Sequence, residues 1–440
     1  MLEIIKSGEK IAEGKTKIIW AVRGRDDLVI VQNKMDITKN DDKTKTQIMK
    51  SKDLYATETT CAIFNLLKQV GIPVAYERRY SESEFLAKKT NMIMLELVGR
   101  RYAVGSFLKR SPNFKTPKGM PPHRFHTWKF ELFLKTTEGR IIDREGNHIG
   151  DMCKDILVRD REKPIDDPFI FDPFNELWRI HHPKIPTWDE ENSYLNKGIS
   201  SLFILPDGVS VKKLEEILKQ TALVLEGAFA QFGIRFIDFK IEFGITSDGK
   251  LLVSDVIDND SWRLKDSDWN ELSKQLFRDN ADMDFISAKY SFVAKLVQNF
   301  RIPRQVIVLW KETSLDSFPE IPDIAGVDKI ELTLSGYKTP HKCMDNLENI
   351  LAEYPEGGVI ITFSDMSNGL GSIIAARTSW PVISVKSQLD VWNSLESLSN
   401  VPLLTVFSFE NAVLAALNIL AQKNPAAYMV RQLEIEKLDY

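Results

Sequence analysis

Cysteine is scarce, with Cys61, Cys153 and Cys343 the only three in 440 residues. They lie too far apart for a CxxC metal knuckle or a disulfide framework, and such usage fits a reducing cytoplasm. Long apolar runs are also missing. The stretch Ala412 to Leu417 is broken by Asn418 and falls far short of a bilayer span, while Glu3, Lys6 and Glu9 near Met1 predict no signal peptide, so no membrane association is expected. Positive charge is not in excess: 58 basic against 62 acidic residues leave −4, and no bulk field is available to hold a nucleic-acid backbone. Glycine (22) and proline (19) are too few for a fibre or a disordered chain. What remains is an apolar fraction of 43% in a chain long enough for two to three domains.

The pattern changes along the chain. From Ile11 to about Leu264 it consists of strands joined by turns, with helices expected at about Lys52–Val70 and Val211–Phe232, which indicates an α+β unit. Within it, residues 136–193 stand apart as an insertion: Gly146-Asn147 marks a turn, and Pro164, Pro168, Pro173, Pro183 and Pro186 punctuate an aromatic-rich stretch whose Phe169, Phe171, Phe174 and Trp178 are expected to pack on the domain. A charged segment and an amphipathic helix, about Phe285–Phe300, follow, with Ile286, Tyr290, Val293 and Val297 at helical spacing. Beyond Pro303, five short apolar runs (306–310, 330–334, 358–363, 381–385 and 403–407) alternate with helix-length segments, the cadence of a parallel α/β domain. The domains expected are therefore 1–265, a linker and helix over 266–302, and 303–440.

Three clusters carry candidate chemistry. Glu13-Gly14-Lys15-Thr16-Lys17 ends like a P-loop, but Glu9 stands where that motif needs its first glycine and a strand follows in place of a helix. Two readings stand: a hairpin turn with solvated lysines, or a glycine turn that brings backbone N–H groups and two lysines onto a polyphosphate. Asp238-Phe239-Lys240-Ile241-Glu242-Phe243-Gly244 alternates strictly, and Asp248-Gly249 then signals a hairpin. With those two as the turn, Glu242 faces Asp255, Asp238 and Lys240 share their side, and Phe239, Ile241, Phe243 and Val256 form the core side. Two facing carboxylates repel unless a lysine or a hard divalent cation such as Mg²⁺ relieves them. Asp258, Asp260 and Arg263 lie in the loop beyond. The third cluster, Arg100 to Arg110, places arginines and Ser106 around Gly105, the usual chemistry for a phosphate monoester, with a merely basic surface as the alternative.

Read in order, the Glu-Gly-Lys-Thr-Lys turn, Arg-Arg…Gly-Ser-Phe-Leu-Lys-Arg, Asp-Phe-Lys-Ile-Glu-Phe-Gly and Val-Ile-Asp-Asn-Asp-Ser-Trp-Arg-Leu resemble the SAICAR synthetase domain of the bifunctional purine-biosynthesis enzymes of animals. Ser335-Gly336-Tyr337-Lys338-Thr339-Pro340 and Ser367-Asn368-Gly369-Leu370-Gly371 are similar to the substrate loops of the AIR carboxylase domain those enzymes carry second. The resemblance implies an α+β ligase domain with antiparallel sheets and an ATP cleft, then a three-layer α/β domain on a parallel sheet. It implies ATP-dependent ligation of aspartate to carboxyaminoimidazole ribotide through an acyl phosphate. Gly14, Lys15 and Lys17 would hold ATP phosphates, Glu96 would sit by the adenine, and Glu242 with Asp255 would bind Mg²⁺. Asp238, Lys240 and Arg263 would be catalytic, with Arg101, Ser106 and Arg263 on the ribotide. Ser335, Lys338, Ser367, Asn368 and Gly369 would contact aminoimidazole ribotide and CO₂ in the carboxylase-like domain, and a homo-octamer would form through that domain.

The chain also departs from the family's pattern. Residues Met35 to Asp41 differ from its loop, Lys311 to Leu315 replace a small Gly-Ser turn, Tyr337 replaces a histidine suited to proton transfer, and Asp365-Met366 replaces Gly-Arg before Ser-Asn-Gly. The expectation is an active ligase with a carboxylase-like domain that keeps its fold and has weak or no activity. The alternatives are a fully bifunctional ligase and carboxylase, or a non-catalytic scaffold.

Overall fold

The computed structural model describes residues 6–38, 46–136, 140–151, 167–312, 318–363, 369–386 and 399–438. The chain divides into two compact units, one running to Phe300 and the other from Arg301 to Leu438. Residues 266–300 fall in the first unit.

The first unit opens on an antiparallel sheet in the order Lys6–Glu13, Lys17–Val22, Arg25–Asn33, Glu84–Lys88, Tyr76–Arg79. Alternation decides its faces: Leu28, Ile30 and Leu86 bury together with Val22, as a period of two requires. The helix Lys52–Gln69 packs on this sheet and on the helix Met283–Val297. Ile286 and Tyr290 of the latter join Ile37, Met49 and Phe277 in one apolar cluster, at the spacing read from the sequence.

A nine-stranded sheet forms most of the rest, beside two two-stranded ladders, Asp36–Thr38 with Thr46–Ile48 and Arg140–Ile142 with His148–Asp151. Its path runs Tyr194–Ser200, Leu177–His181, Phe169–Phe171, Arg124–Leu134, Leu95–Tyr102, Arg235–Ile245, Leu251–Ser254, and both Trp262–Lys265 and Asn91–Met92 also pair with Arg235–Ile245. The inserted segment thus supplies Phe169–Phe171 and Leu177–His181 near one edge, and the edge strand Tyr194–Ser200 follows directly on it. Trp178 is fully buried there, and Phe174, although 60% exposed, sets its ring 6.2 Å from that of Phe130 on the sheet. The helix Val211–Ala230 covers one face of the sheet: Phe229 stacks on Phe236 with centroids 5.5 Å apart, and Phe239 crowds Gly99 so closely that a Cβ there would meet its ring at 2.8 Å. Phe236, Phe239, Ile241 and Phe243 are all buried, each contributing about 1.5–3 kcal/mol of transfer free energy.

The hairpin differs from the expected register by one. Glu242 pairs with Ser254, not Asp255. The connection is a three-residue loop, Ser247 to Gly249, closed by Thr246 N–H donating to Lys250 O at 3.0 Å. Gly249 takes φ +82°, the left-handed position that ends a three-residue hairpin loop. Asp255 consequently lies one residue past the strand with φ +68°, and Val256 is half-buried instead of core.

The second unit is a five-stranded parallel sheet ordered Val327–Thr333, Gln305–Lys311, Gly358–Phe363, Val382–Val385, Leu403–Val406. Val306 to Trp310 is wholly buried, as a central parallel strand covered on both faces demands. Helices Pro340–Glu353, Gly369–Ala375, Phe409–Leu420 and Pro425–Glu436 accompany it. Ser408 and Asn424 cap the last two by accepting backbone N–H bonds. Among the described residues no helix is long and apolar enough to cross a membrane.

Candidate active site

A cleft of about 320 Å³ opens along the polar side of the Arg235–Ile245 strand. The period-two pattern that buries Phe239 and Phe243 sends Asp238, Lys240 and Glu242 into it. The Gly14–Thr16 turn joins the first two strands, closed by Gly14 N–H donating to Lys17 O at 2.9 Å, and it carries Lys15, Thr16 and Lys17 to the cleft wall. Lys17 pairs with Asp255. Burial pulls the Lys17 ammonium down to about 8, Glu242 opposes this, and Lys135 and Lys240 push the same way as burial.

Glu242 is ringed by cations. Lys135 bonds one of its oxygens and Lys240 lies 3.8 Å from the other. Burial disfavours its charge, but Lys135, Lys240 and Lys17 outweigh that and hold the carboxyl below its ordinary range. Lys240 itself donates to Glu96 at 2.6 Å. A second, mostly apolar cavity of about 310 Å³ lies beyond, lined by residues that include Ile19, Val31, Ala75, Phe85, Ala87 and Met92. Lys17, Glu242 and Asp255 line both spaces and so form a common wall. Glu96 lines the polar cleft.

At the cleft's other end Asp238 accepts from Arg100 and, at 2.5 Å, from Arg263. Arg100 also donates to Ser106 at 3.3 Å and to Glu131 at 2.5 Å. Gly105, at φ +61°, lets the backbone approach the Arg263 guanidinium, which a Cβ would meet at 2.7 Å. The expected Arg101 is not in the cleft. Neighbouring residues of a strand point to opposite faces, and Arg101 is buried on the far side, bidentate to Glu226 at 2.9 and 2.6 Å, with its guanidinium 5.1 Å from the Trp128 ring. Arg100 lines the cleft instead.

Below the cleft, Asp260 receives Lys274 at 3.0 Å, Lys52 at 3.2 Å and the Tyr290 hydroxyl at 2.6 Å. Burial works against its charge, yet the two lysines hold the carboxyl far below its usual range, while burial and the Asp260 charge raise neighbouring Asp258. Sequence reasoning missed Lys52, Lys135, Lys274 and Tyr290. Each reads locally as an ordinary strand-end or helix residue, and their acidic partners are remote in sequence.

In the second unit the Ser335–Lys338 turn is held by Lys338 N–H donating to Ser335 Oγ at 3.3 Å and Thr339 Oγ1 donating to Ser335 O at 3.0 Å. Tyr337 lies against Gly369, where a Cβ would meet its ring at 2.3 Å. The two expected loops are therefore adjacent at these residues. Ser367, Asn368, Asp365, Met366, Thr313 to Leu315 and Lys39 to Lys43 lie outside the described residues.

The family model of SAICAR synthetase matches residues 10–149 and 198–291. The chain belongs to the SAICAR synthetase family. The AIR carboxylase model matches residues 323–436, so both domains of the bifunctional enzymes are present. A probable multifunctional protein of Caenorhabditis elegans is 32% identical, over 94% of this chain and 90% of that protein. The human bifunctional phosphoribosylaminoimidazole carboxylase/phosphoribosylaminoimidazole succinocarboxamide synthetase is 28% identical over 96% and 92%. A crystal structure of phosphoribosylaminoimidazole-succinocarboxamide synthase from Ehrlichia chaffeensis is 23% identical, covers 67% of this chain and 100% of its own, and aligns with a TM-score of 0.48. The segment the synthetase model skips, 150–197, contains the three edge strands up to most of the last.

Among the described residues no group of three or more His, Cys, Asp and Glu side chains is placed to hold a metal alone. The donor set at the common wall nevertheless suits Mg²⁺: two carboxylates, Glu242 and Asp255, leave the remaining positions to phosphate oxygens and water, as this ion prefers.

Proposed function

We propose that this chain is an ATP-dependent ligase of purine biosynthesis that joins aspartate to carboxyaminoimidazole ribotide. The observation that carries this reading is the wall of Lys17, Glu242 and Asp255, which separates an apolar cavity fit for a purine base from a polar cleft ending in Arg100, Arg263 and Ser106. The base enters the apolar cavity and the triphosphate crosses the wall beside Lys15 and Lys17. The ribotide phosphate lies against Arg263, Arg100 and Ser106, with its carboxylate toward Lys240. A carboxylate oxygen attacks the γ-phosphorus and the bond to ADP breaks; the aspartate amine then attacks the acyl carbon, and inorganic phosphate leaves with the carboxylate oxygen. Lysines around the transferring group stabilise its charge, and positioning supplies most of the remaining rate. Mg²⁺ held by Glu242 and Asp255 would neutralise charge on the phosphoryl oxygens.

The carboxylase-like unit is proposed to be weak or silent, supported by Tyr337 lying over Gly369 where a histidine, the side chain suited to proton transfer near neutral pH, would be expected. Assembly as an octamer through this unit in the cytoplasm is part of the same reading, and a monomer by light scattering would refute that assembly.

The deciding assay measures SAICAR from ATP, Mg²⁺ and aspartate, started from carboxyaminoimidazole ribotide and, separately, from aminoimidazole ribotide with bicarbonate against an enzyme-free control. Product from the first start alone is expected, and chelation by EDTA should abolish it. Product above control from both would make the chain fully bifunctional; product from neither would make it a scaffold.

A further inference from the structure

The inserted segment reaches the cleft through buried charge. Arg110 follows the Gly105-Ser106 turn and is 2% exposed. Its guanidinium donates to the Pro183 carbonyl and to Glu131, and lies 4.6 Å from the centre of the Phe169 ring and 5.1 Å from that of Phe133. Pro183 and Phe169 belong to the stretch that the family model leaves unmatched. Glu131, 5% exposed, holds Arg100 with its other oxygen, and Arg100, 4% exposed, reaches Asp238 and Ser106 in the cleft.

We propose that the inserted strands position the anion-binding end of the cleft, with Arg110 as the positioning residue that divides Glu131 between itself and Arg100. Glu131 and its two arginines are buried, so their charges must balance among themselves. Glu131 has two oxygens and two arginines, one on each. With Arg110 in place, Arg100 can claim only one oxygen and must spend its remaining N–H groups on Asp238 and Ser106. Without Arg110, both oxygens are open to Arg100, whose planar fork favours a bidentate grip on a carboxylate; the guanidinium then turns from the cleft. The Phe169 ring and the Pro183 carbonyl hold Arg110 beside Glu131, so a segment that contributes no residue to the cleft sets the orientation of one that does.

The inference rests on the ligase reading for its substrate but not for its binding test. In the full-length protein, R110M should raise KM for carboxyaminoimidazole ribotide about 10- to 100-fold, the scale of an ångström-sized misplacement, and leave KM for ATP unchanged. F169L should raise the same KM about threefold, as expected for a lost cation–aromatic contact, and add nothing in the R110M background. R110K keeps the charge on Glu131 without the second fork and should fall between wild type and R110M; it also serves if R110M does not fold. Calorimetric titration with ribose 5-phosphate, as an anion probe, should show the same order of affinities. Equal losses for ribotide and ATP, or additive effects of R110M and F169L, would overturn the proposal. A wild type that binds ribose 5-phosphate in this Arg110-dependent way but makes no SAICAR would sink the ligase reading and leave the positioning role standing.

Discussion

Arg100 and Arg101 are adjacent, chemically identical and separated by the thickness of a sheet. Arg100→Met should raise KM for the ribotide and, although it takes a partner from the buried Glu131 and Asp238, cost less stability than the same change at Arg101, because those carboxylates keep Arg110 and Arg263. Arg101→Met takes the bidentate partner from the inner-facing Glu226, leaving it the Trp128 indole at 3.0 Å and Arg124 at 3.5 Å. It should therefore cost about 3–5 kcal/mol of stability with KM unchanged, a split that denaturant titration beside steady-state kinetics would resolve. The pair shows how much of the site was legible. Alternation placed Asp238, Lys240 and Glu242 on one side without any fold, because that pattern is local. For the arginines the parity signal is short: Glu96 stands between the buried Leu95 and Leu97, and the alternation then blurs at Val98 and Gly99 before two arginines in succession. The Glu242–Asp255 pairing failed for a similar reason, since Asp-Gly serves equally in two- and three-residue loops and the Thr246 hydroxyl, which bonds Asp248 and accepts the Lys250 N–H at 2.9 Å, selects the longer.

At the scale of elements, the inserted strands are the part least visible beforehand. Proline spacing and composition mark them as foreign, but pairing with Arg124–Leu134 is a long-range event. They also contain a titrating group. His181 is fully buried, 3.3 Å from Ser193 Oγ, and burial, aided by the Arg179 charge, lowers its pKa from 6.5. The sign follows directly. Above pH 6.5 the ring is neutral in both states; as pH falls through that value the unfolded chain binds the proton first, so stability is lost toward acid until the folded ring protonates too. Hydrogen exchange over residues 169–200, corrected for intrinsic rates, should therefore quicken from pH 7.5 to pH 5.5, and H181N should flatten that dependence. An unchanged profile in wild type would mean that the ring is not protonated on opening.

For the whole molecule, the two units each have their own sheet and core, and the second was readable almost strand by strand because its three inner parallel strands are buried, continuous apolar runs needing no register. Such units commonly unfold separately. Calorimetry should show two transitions, and ATP with Mg²⁺ should move only the one belonging to residues 6–300, by about 2.7 kcal/mol at a hundredfold excess over Kd. A shift of both transitions together would show that the units unfold as one.

The wall shared by the two cavities also matters to chemists who design inhibitors. Because Lys17, Glu242 and Asp255 are common to both spaces, a single compound joining a flat apolar group to an anionic sugar-like head would tether each half beside its own pocket. The second half then binds at a local concentration in the millimolar range for a short linker, and two weak fragments become one tight ligand that neither substrate can displace alone.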